Sequence, residues 1–128
     1  MRRGGSTALF PAVRRFAANY TAATGINVHI DGDEKLQLND RLAAEAFQMI
    51  AEALSNVRRH TAAQHAEVTI TCDQRDLILN IANETSDRVN RLEFRPKSIT
   101  ERAAALGGRT KVLLDNSNRT VVAIRIPL

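Results

Sequence analysis

The sequence has very few of the residues from which several common kinds of site are built. It contains one cysteine, Cys72, so an intramolecular disulfide and a cysteine-rich zinc site are both excluded. It has no tryptophan, one tyrosine and four phenylalanines, which leaves few platforms on which single-stranded nucleic acid could stack. No apolar run approaches the roughly 18 residues of a membrane-spanning helix, so we expect no membrane contact from these residues. One unpaired thiol is typical of a reducing compartment and indicates the cytoplasm.

Basic residues outnumber acidic ones in this chain. There are 18 lysines and arginines against 14 aspartates and glutamates, which gives a net charge of +4. Arginines predominate among the basic residues, and a guanidinium group can bind two phosphate oxygens at once. Charge alone therefore suits a phosphate ligand or nucleic acid. Because no helix-turn-helix or zinc-finger pattern is found, nucleic acid is not expected as a partner, and retention on DNA or RNA at low salt would contradict this.

The pattern of apolar residues predicts a single domain. It covers residues 9–128, after a disordered start or artificial extension at residues 1–8. Helical periodicity predicts three helices. The first covers residues 9–23 and ends at Gly25, and the second, which is the longest, runs from Asn39 or Asp40 to about 59–61. The third covers residues 99–106, with Ser98 as a possible cap. Alternating segments predict five strands, at 26–30, 67–72, 77–82, 111–114 and 120–126, with a loop at 83–97. Since hairpins connect most strands, we predict an α/β fold, a two-layer sandwich with a mixed sheet and helices on one face.

The long helix carries a polar stripe opposite its apolar side. Glu52, Asn56 and His60 are spaced four apart, so they lie along one side of the helix, away from Leu54. An asparagine oxygen is a suitable ligand for Mg²⁺, and a carboxylate can position or deprotonate a hydroxyl group. Histidine and the adjacent Arg59 can contact phosphate oxygens. The spacing alone is equally that of the solvated side of an ordinary amphipathic helix.

Segment 47–62 resembles the N box of sensor histidine kinases. It matches the pattern E-A-L-x-N-x-x-[KR]-H-[AST] of the subgroup that contains nitrate-responsive and desaturase-regulating sensors. Segment 99–108 resembles that family's helix after the ATP lid, with its E-R-A-x-x-L-G-G ending. Residues 120–128 resemble the terminal strand with its closing I-P-L, and residues 25–28 resemble the strand before the N box. The resemblance covers roughly residues 9–128.

This resemblance implies the ATP-binding catalytic domain of a two-component kinase, with the Bergerat fold of the GHKL ATPases. Such a domain binds ATP and Mg²⁺ and provides the phosphoryl group to a histidine on a separate dimerisation domain. The implied partners are ATP, the dimerisation and phosphoacceptor helices of the parent kinase, and a response regulator. The implied location is the cytoplasm, or the cytoplasmic part of a membrane-anchored kinase.

The resemblance also implies roles for individual residues. Asn56 would be the magnesium ligand, and Glu52 the catalytic residue near the γ-phosphate. Near phosphate or the nucleotide edge would lie Arg59 and His60. Three further positions would bind the nucleotide. Asn83 would stand where the family has the aspartate that accepts a hydrogen bond from the adenine amino group. Ser98 would belong to the second glycine box, and Thr120 would approach adenine from the last strand.

The two glycine boxes of the family are eroded in this sequence. The first, D-x-G-x-G, aligns with residues 83–87, where Asn83, Thr85 and Asp87 replace the aspartate and both glycines. The second, G-L-x-G, aligns with residues 95–98 and also lacks glycine. Because glycine lets the backbone approach phosphates closely, we expect an impaired lid and an affinity for ATP weaker by several powers of ten. The alternative reading is a degenerate, non-catalytic pseudo-ATPase that acts as a binding or regulatory module.

The remaining residues of chemical interest have ordinary roles in this interpretation. His29 lies in an alternating strand and His65 in a polar turn, and neither has the H-[DE] helical context of a phosphoacceptor. Cys72 is expected to be a small apolar residue within a strand.

Overall fold

The computed structural model describes residues 6–84 and 96–128. This part of the chain contains three helices, which are α1 (Leu9–Thr24), α2 (Asp40–His60) and α3 (Lys97–Ala105). Its strands are β1 (Ser6–Ala8), β2 (Asn27–Gly32), β3 (Gln37–Asn39), β4 (His65–Asp73), β5 (Asp76–Glu84), β6 (Arg109–Leu114) and β7 (Arg119–Pro127). No helix in these ranges is long and apolar enough to cross a membrane.

A five-stranded mixed sheet forms one layer of the domain. Its strand order is β2-β4-β5-β7-β6, in which β2 and β4 are parallel and every other pair is antiparallel. Along β4, β5 and β7, buried residues alternate with more exposed ones, because successive side chains of a strand point to opposite faces. The buried face packs against the helices. This confirms the predicted two-layer α/β sandwich with helices on one face.

Helix α2 is the central helix of the other layer. The side chain of Asn39 caps its first turn, since Asn39 Oδ1 accepts a hydrogen bond from the N–H of Leu42 at 2.8 Å. The apolar side of the helix is buried in the core, and Leu54 is fully buried. Tyr20 of α1 packs beside it and donates its hydroxyl proton to the Leu54 carbonyl at 2.6 Å. The predicted start and apolar face of this helix are therefore confirmed.

The start of the chain differs from the prediction. A disordered start is wrong for Ser6–Ala8, which pairs antiparallel with β3 in a separate two-stranded sheet. The hydroxyl of Ser6 donates to Gln37 Oε1 at 2.9 Å, and that of Thr7 donates to Asp40 Oδ1 at 2.6 Å. Three short residues carry no periodic signal, so only their partners about thirty residues away define this strand. Residues 1–5 lie outside the described part of the chain.

The predicted loop and cap near the third helix also need correction. Asn83 is not in a loop but near the end of β5, and the described chain resumes at Pro96, the N-cap residue of α3. Ser98 is therefore inside the helix rather than its cap, and its hydroxyl donates to Glu52 of α2. Cys72 is exposed rather than buried, since the alternating burial of β4 stops at Ile70.

Candidate functional site

The polar side of α2 brings two of the predicted site residues together. Asn56 Oδ1 accepts a hydrogen bond from Nη2 of Arg59, one helical turn later, at 2.7 Å. Glu52 and Asn56 are both partly exposed, while Leu54 and Val57 point into the core. His60 is the last residue of α2, and its side chain lies outside what the structure describes. The predicted stripe thus presents a carboxylate and an amide to a common side of the helix.

Two polar contacts hold α3 along this side of α2. The hydroxyl of Ser98 donates to Glu52 Oε1 at 3.1 Å. One turn further along α3, Arg102 forms an ion pair with Glu45 at 3.0 Å. Ser98 and Glu52, 46 positions apart in sequence, are thereby brought into direct contact. The first turn of the helix that follows the lid region is therefore placed against the predicted catalytic carboxylate.

A buried polar pair lies on the sheet. Within the described residues, Asn83 and Thr120 are the buried polar side chains, with 5% and 7% of their surface exposed. They are direct cross-strand partners on β5 and β7, so both face the helix layer. Asn83 Nδ2 donates to the carbonyl of Glu84 at 2.9 Å, which orients the amide and leaves its Oδ1 as an acceptor. The hydroxyl of Thr120 is buried and has no hydrogen-bond partner among the described residues.

These groups have the chemistry that a nucleotide requires. A buried hydroxyl without a partner is uncommon in folded proteins, and a ligand that bonds to it would remove the cost of its burial. The Oδ1 of Asn83, on the neighbouring strand, can accept a hydrogen bond from an exocyclic amino group. Among the described residues no group of three or more histidine, cysteine, aspartate or glutamate side chains could hold a metal ion. The amide oxygen of Asn56 is chemically suited to a Mg²⁺ ion that takes its other ligands from water and phosphate, because Mg²⁺ commonly uses few protein ligands.

A groove of about 340 Å³ lies between α2 and α3. It adjoins the Glu52–Ser98 contact but not the Asn83–Thr120 pair, and its lining consists of Arg41, Glu45, Ser98, Glu101, Arg102, Ala105 and Leu106. Sequence reasoning missed Arg41 and Glu45 as neighbours of the site. A signal was present, because both lie on the same side of the α2 helix as Glu52, at intervals of four and seven residues.

Glu84, at the end of β5, was also missed. One of its carboxylate oxygens accepts the N–H groups of Gln64 at 2.7 Å and His65 at 2.6 Å, and it contacts the ring Nδ1 of His65 at 3.3 Å. The backbone hydrogen bond from Gln64, followed by those from His65, lowers the pKa of Glu84. The carboxylate thereby ties the start of β4 to the end of β5 beside Asn83. No sequence pattern marks a contact between residues about twenty apart.

The fold is that of histidine kinase ATP-binding catalytic domains. No protein-family model matches the sequence, and no curated protein sequence matches it. The likeness is therefore one of structure. The ATP-binding domain of PrrB from Mycobacterium tuberculosis superposes with a TM-score of 0.77 at 13% identity, covering 98% of each chain. The nucleotide-free catalytic domain of histidine kinase ThkA gives 0.74 at 13% identity, covering 98% of this chain and 97% of that one.

A longer kinase structure shares the same fold. The histidine kinase domain of the blue-light activated histidine kinase of Erythrobacter litoralis EL346 superposes with a TM-score of 0.73 at 16% identity. That match covers all of this chain but 66% of the kinase domain. In a second structure of that kinase, this chain covers 46% of the length. The present chain thus spans about two thirds of the first of these structures and about half of the second.

Proposed function

We propose that this domain binds ATP with Mg²⁺ and provides the phosphoryl group to a histidine on a separate dimerisation domain, in two-component signalling. Its partners are then ATP, the dimerisation and phosphoacceptor helices of a parent kinase, and a response regulator, and its place is the cytoplasm. The resemblance of residues 47–62 and 99–108 to histidine kinase segments and the histidine kinase catalytic fold of the chain support the proposal. The observation that carries the proposal is the buried Asn83–Thr120 pair with its unpartnered hydroxyl.

At the base end of the site, Asn83 and Thr120 recognise adenine. Asn83 Oδ1 accepts the exocyclic amino group, since the bond from Nδ2 to the Glu84 carbonyl keeps the oxygen side of the amide available. The Thr120 hydroxyl gains the partner that it lacks, either a ring nitrogen or a water bridging to one. Asparagine accepts this bond without a negative charge. Recognition of the base is therefore weaker here than with the aspartate of the resembled family.

At the phosphate end, the polar side of α2 positions the reacting group. When bound through Asn56, Mg²⁺ neutralises charge on the phosphate oxygens. Arg59 and His60 contribute positive or hydrogen-bonding groups toward phosphate, and Ser98 stands at the start of α3 beside Glu52. Glu52 orients and accepts the proton of the incoming nucleophile. These residues act by positioning and charge neutralisation, which dominate phosphoryl transfer.

Calorimetric titration of the 128-residue chain with ATP and Mg²⁺ tests this proposal. We expect saturable binding that Asn56→Ala and Asn83→Ala each weaken strongly. Asn80→Ala is the matched control, because Asn80 lies on the same strand but on the opposite, outward face of the sheet, and it should bind as the parent does. Absence of heat at millimolar nucleotide would overturn the proposal and favour a non-catalytic binding or regulatory module.

The chain alone should not phosphorylate itself. Its described histidine side chains, His29 and His65, are exposed on strands rather than presented on a dimeric helical module. Incubation with radiolabelled ATP should therefore leave no acid-labile phosphate on the 128-residue chain. Label appearing on either histidine would contradict the assignment of the acceptor to a separate domain.

A further inference from the structure

We propose that Arg59 competes with Mg²⁺ for the side-chain oxygen of Asn56, so that a nucleotide must draw Arg59 away before the metal can bind. This inference rests on the proposed function, and it concerns the order of binding at the same site. The observation is the hydrogen bond of 2.7 Å from Arg59 Nη2 to Asn56 Oδ1, made between residues three apart on one side of α2. A charged donor thus occupies the very oxygen that the metal needs.

The two cations compete for this oxygen. Mg²⁺ binds its oxygen ligands at about 2.0–2.1 Å and tolerates little departure from octahedral geometry. With a guanidinium nitrogen at 2.7 Å from the same atom, the two positive groups would lie within about 5 Å of each other. Their repulsion opposes simultaneous binding. In the nucleotide-free domain, Arg59 therefore lowers the affinity of Asn56 for the metal.

A phosphate group changes this balance. The guanidinium binds phosphate through two parallel, charge-assisted hydrogen bonds, which are stronger than one bond to a neutral amide. Arg59 lies one helical turn from Asn56 and is exposed, so it can turn toward a phosphate without disturbing the core. The nucleotide thereby releases Oδ1, and by linkage the metal favours the nucleotide in return. Arg59 is thus a positioning residue that couples the two ligands.

Arg58 provides a matched control for this test. It is exposed, carries the same charge and lies one position earlier, about 100° around the helix. Within the described residues its side chain makes no hydrogen bond to Asn56, whose partner is Arg59. Removing either arginine changes the net charge equally. A difference between the two variants therefore reports the contact rather than the general electrostatic field.

The experiment measures Mn²⁺ binding without nucleotide, by electron paramagnetic resonance of the free ion, in the 128-residue chain. We expect Arg59→Ala to bind Mn²⁺ at least about fivefold more tightly than the parent, a typical size for coupling between sites. Arg58→Ala should match the parent, and Asn56→Ala combined with Arg59→Ala should lose the gain. Equal Mn²⁺ affinity in Arg59→Ala and Arg58→Ala, or no detectable Mn²⁺ binding by Arg59→Ala, overturns the competition.

A second titration separates this inference from the proposed function. ADP binding is measured in EDTA and in Mg²⁺ for the same variants. Arg59→Ala should weaken ADP binding in EDTA, because a phosphate contact is lost. The gain in ADP affinity on adding Mg²⁺ should be smaller than in the parent, because the coupling through Arg59 is removed. If the parent binds ADP but Arg59→Ala shows no selective gain for Mn²⁺, the competition is wrong and the nucleotide site stands. If neither the parent nor Arg58→Ala binds ADP in Mg²⁺, the proposed function itself is overturned.

Discussion

At the scale of single residues, the most informative group is the hydroxyl of Thr120. It is buried beside Asn83, faces the helix layer and has no hydrogen-bond partner within residues 6–84 and 96–128. A buried polar atom without a partner costs stability, and a ligand that bonds to it would offset that cost. Arg102 Nε and the Thr110 hydroxyl are likewise buried without a partner among the described residues, so it is the position of Thr120 beside Asn83 that singles it out. A substitution at Thr120 should therefore change the free energy of unfolding and the affinity for ATP in different directions, which is not expected for the exposed residues of α2.

Thr120→Val should have opposite effects on stability and binding. Valine has nearly the shape of threonine but no hydroxyl, so the unsatisfied group disappears and the free energy of unfolding should rise by about 1 kcal/mol. The affinity for ATP should fall several-fold, because the base loses a hydrogen bond. Denaturant melts and calorimetry measure the two effects. A drop in stability would show that the hydroxyl has a partner within the folded protein.

Asn83→Asp tests the departure from the resembled family. An aspartate cannot donate to the Glu84 carbonyl, and its charge would be buried beside that oxygen, so the empty domain should lose about 1–3 kcal/mol of stability. The carboxylate should nevertheless accept the adenine amino group more strongly. Combined with Thr85→Gly and Asp87→Gly, whose positions lie outside the described residues, it should raise ATP affinity at least about tenfold. If the triple variant binds ATP no more tightly than the parent, the cause of the weak affinity lies outside this glycine box.

At the scale of elements, α2 is defined by which of its sides is buried. Leu54 is fully buried against the sheet and α1, whereas Leu113, on the edge strand β6, has 49% of its surface exposed. The two leucines differ in environment but not in chemistry. They therefore form a natural pair for measuring what burial contributes.

Leu54→Ala should destabilise the domain by about 2–5 kcal/mol, because it removes apolar contacts and leaves a cavity. The matched change Leu113→Ala should cost less than about 0.5 kcal/mol, as is usual for exposed positions. Urea denaturation of both variants measures the difference. Similar values for the two would mean that the assignment of the α2 faces is wrong.

Glu84 joins two elements in a way that depends on pH. Its pKa is lowered chiefly by the backbone N–H of Gln64, so the folded state holds this carboxyl less protonated than the unfolded state does. Its contribution to stability is therefore fully present above its ordinary pKa of 4.5 and is lost as the pH falls through the lowered folded value. The side chain is about half exposed, so solvent screens the effect.

Glu84→Gln should lower stability at pH 7 and flatten its decline below about pH 4.5. Glu101→Gln, an exposed carboxylate on α3, is the control for removing one negative charge. Denaturant melts of the parent and both variants between pH 3 and 7 provide the comparison. Parallel curves for the parent and Glu84→Gln would show that the bonds to Gln64 and His65 contribute no pH dependence.

At the scale of the whole molecule, the domain is a sheet with helices on one face, and the proposed site lies between the layers. The pair proposed to recognise the base is on the sheet and the residues proposed to contact phosphate are on α2, while α3 is attached to α2 by two polar contacts. A ligand that bridges the layers should stabilise the molecule as one unit, because it binds the folded chain alone.

A thermal melt tests this bridging. At about a hundred times its dissociation constant, ATP with Mg²⁺ should add about 2.7 kcal/mol of stability. For a domain of this size the midpoint should rise by roughly 5–15 °C. GTP, which offers Asn83 a carbonyl rather than an amino group, should raise the midpoint much less. Equal shifts with both nucleotides would contradict base recognition by the Asn83 amide oxygen.

The sequence by itself determined most of the secondary structure and the class of fold. Periodicity placed α1, α2 and the hairpins, because burial of one side of each helix or strand imposes a local repeat that can be read along the chain. It did not reveal β1, whose partners lie about thirty residues away. Nor did it reveal that Ser98 is not a cap, since a serine before a helical segment satisfies the local rule whatever its distant partner is.

Only the tertiary structure decided how the candidate site residues meet. The sequence indicated Glu52, Asn56, Asn83, Ser98 and Thr120 one by one. Their pairing depends on strand register and helix packing, which place Asn83 opposite Thr120 and Ser98 against Glu52. The same packing buries the Thr120 hydroxyl, which has no hydrogen-bond partner among the described residues. Hydrogen-bond satisfaction is a property of three-dimensional neighbours, so no local pattern of residues can encode it.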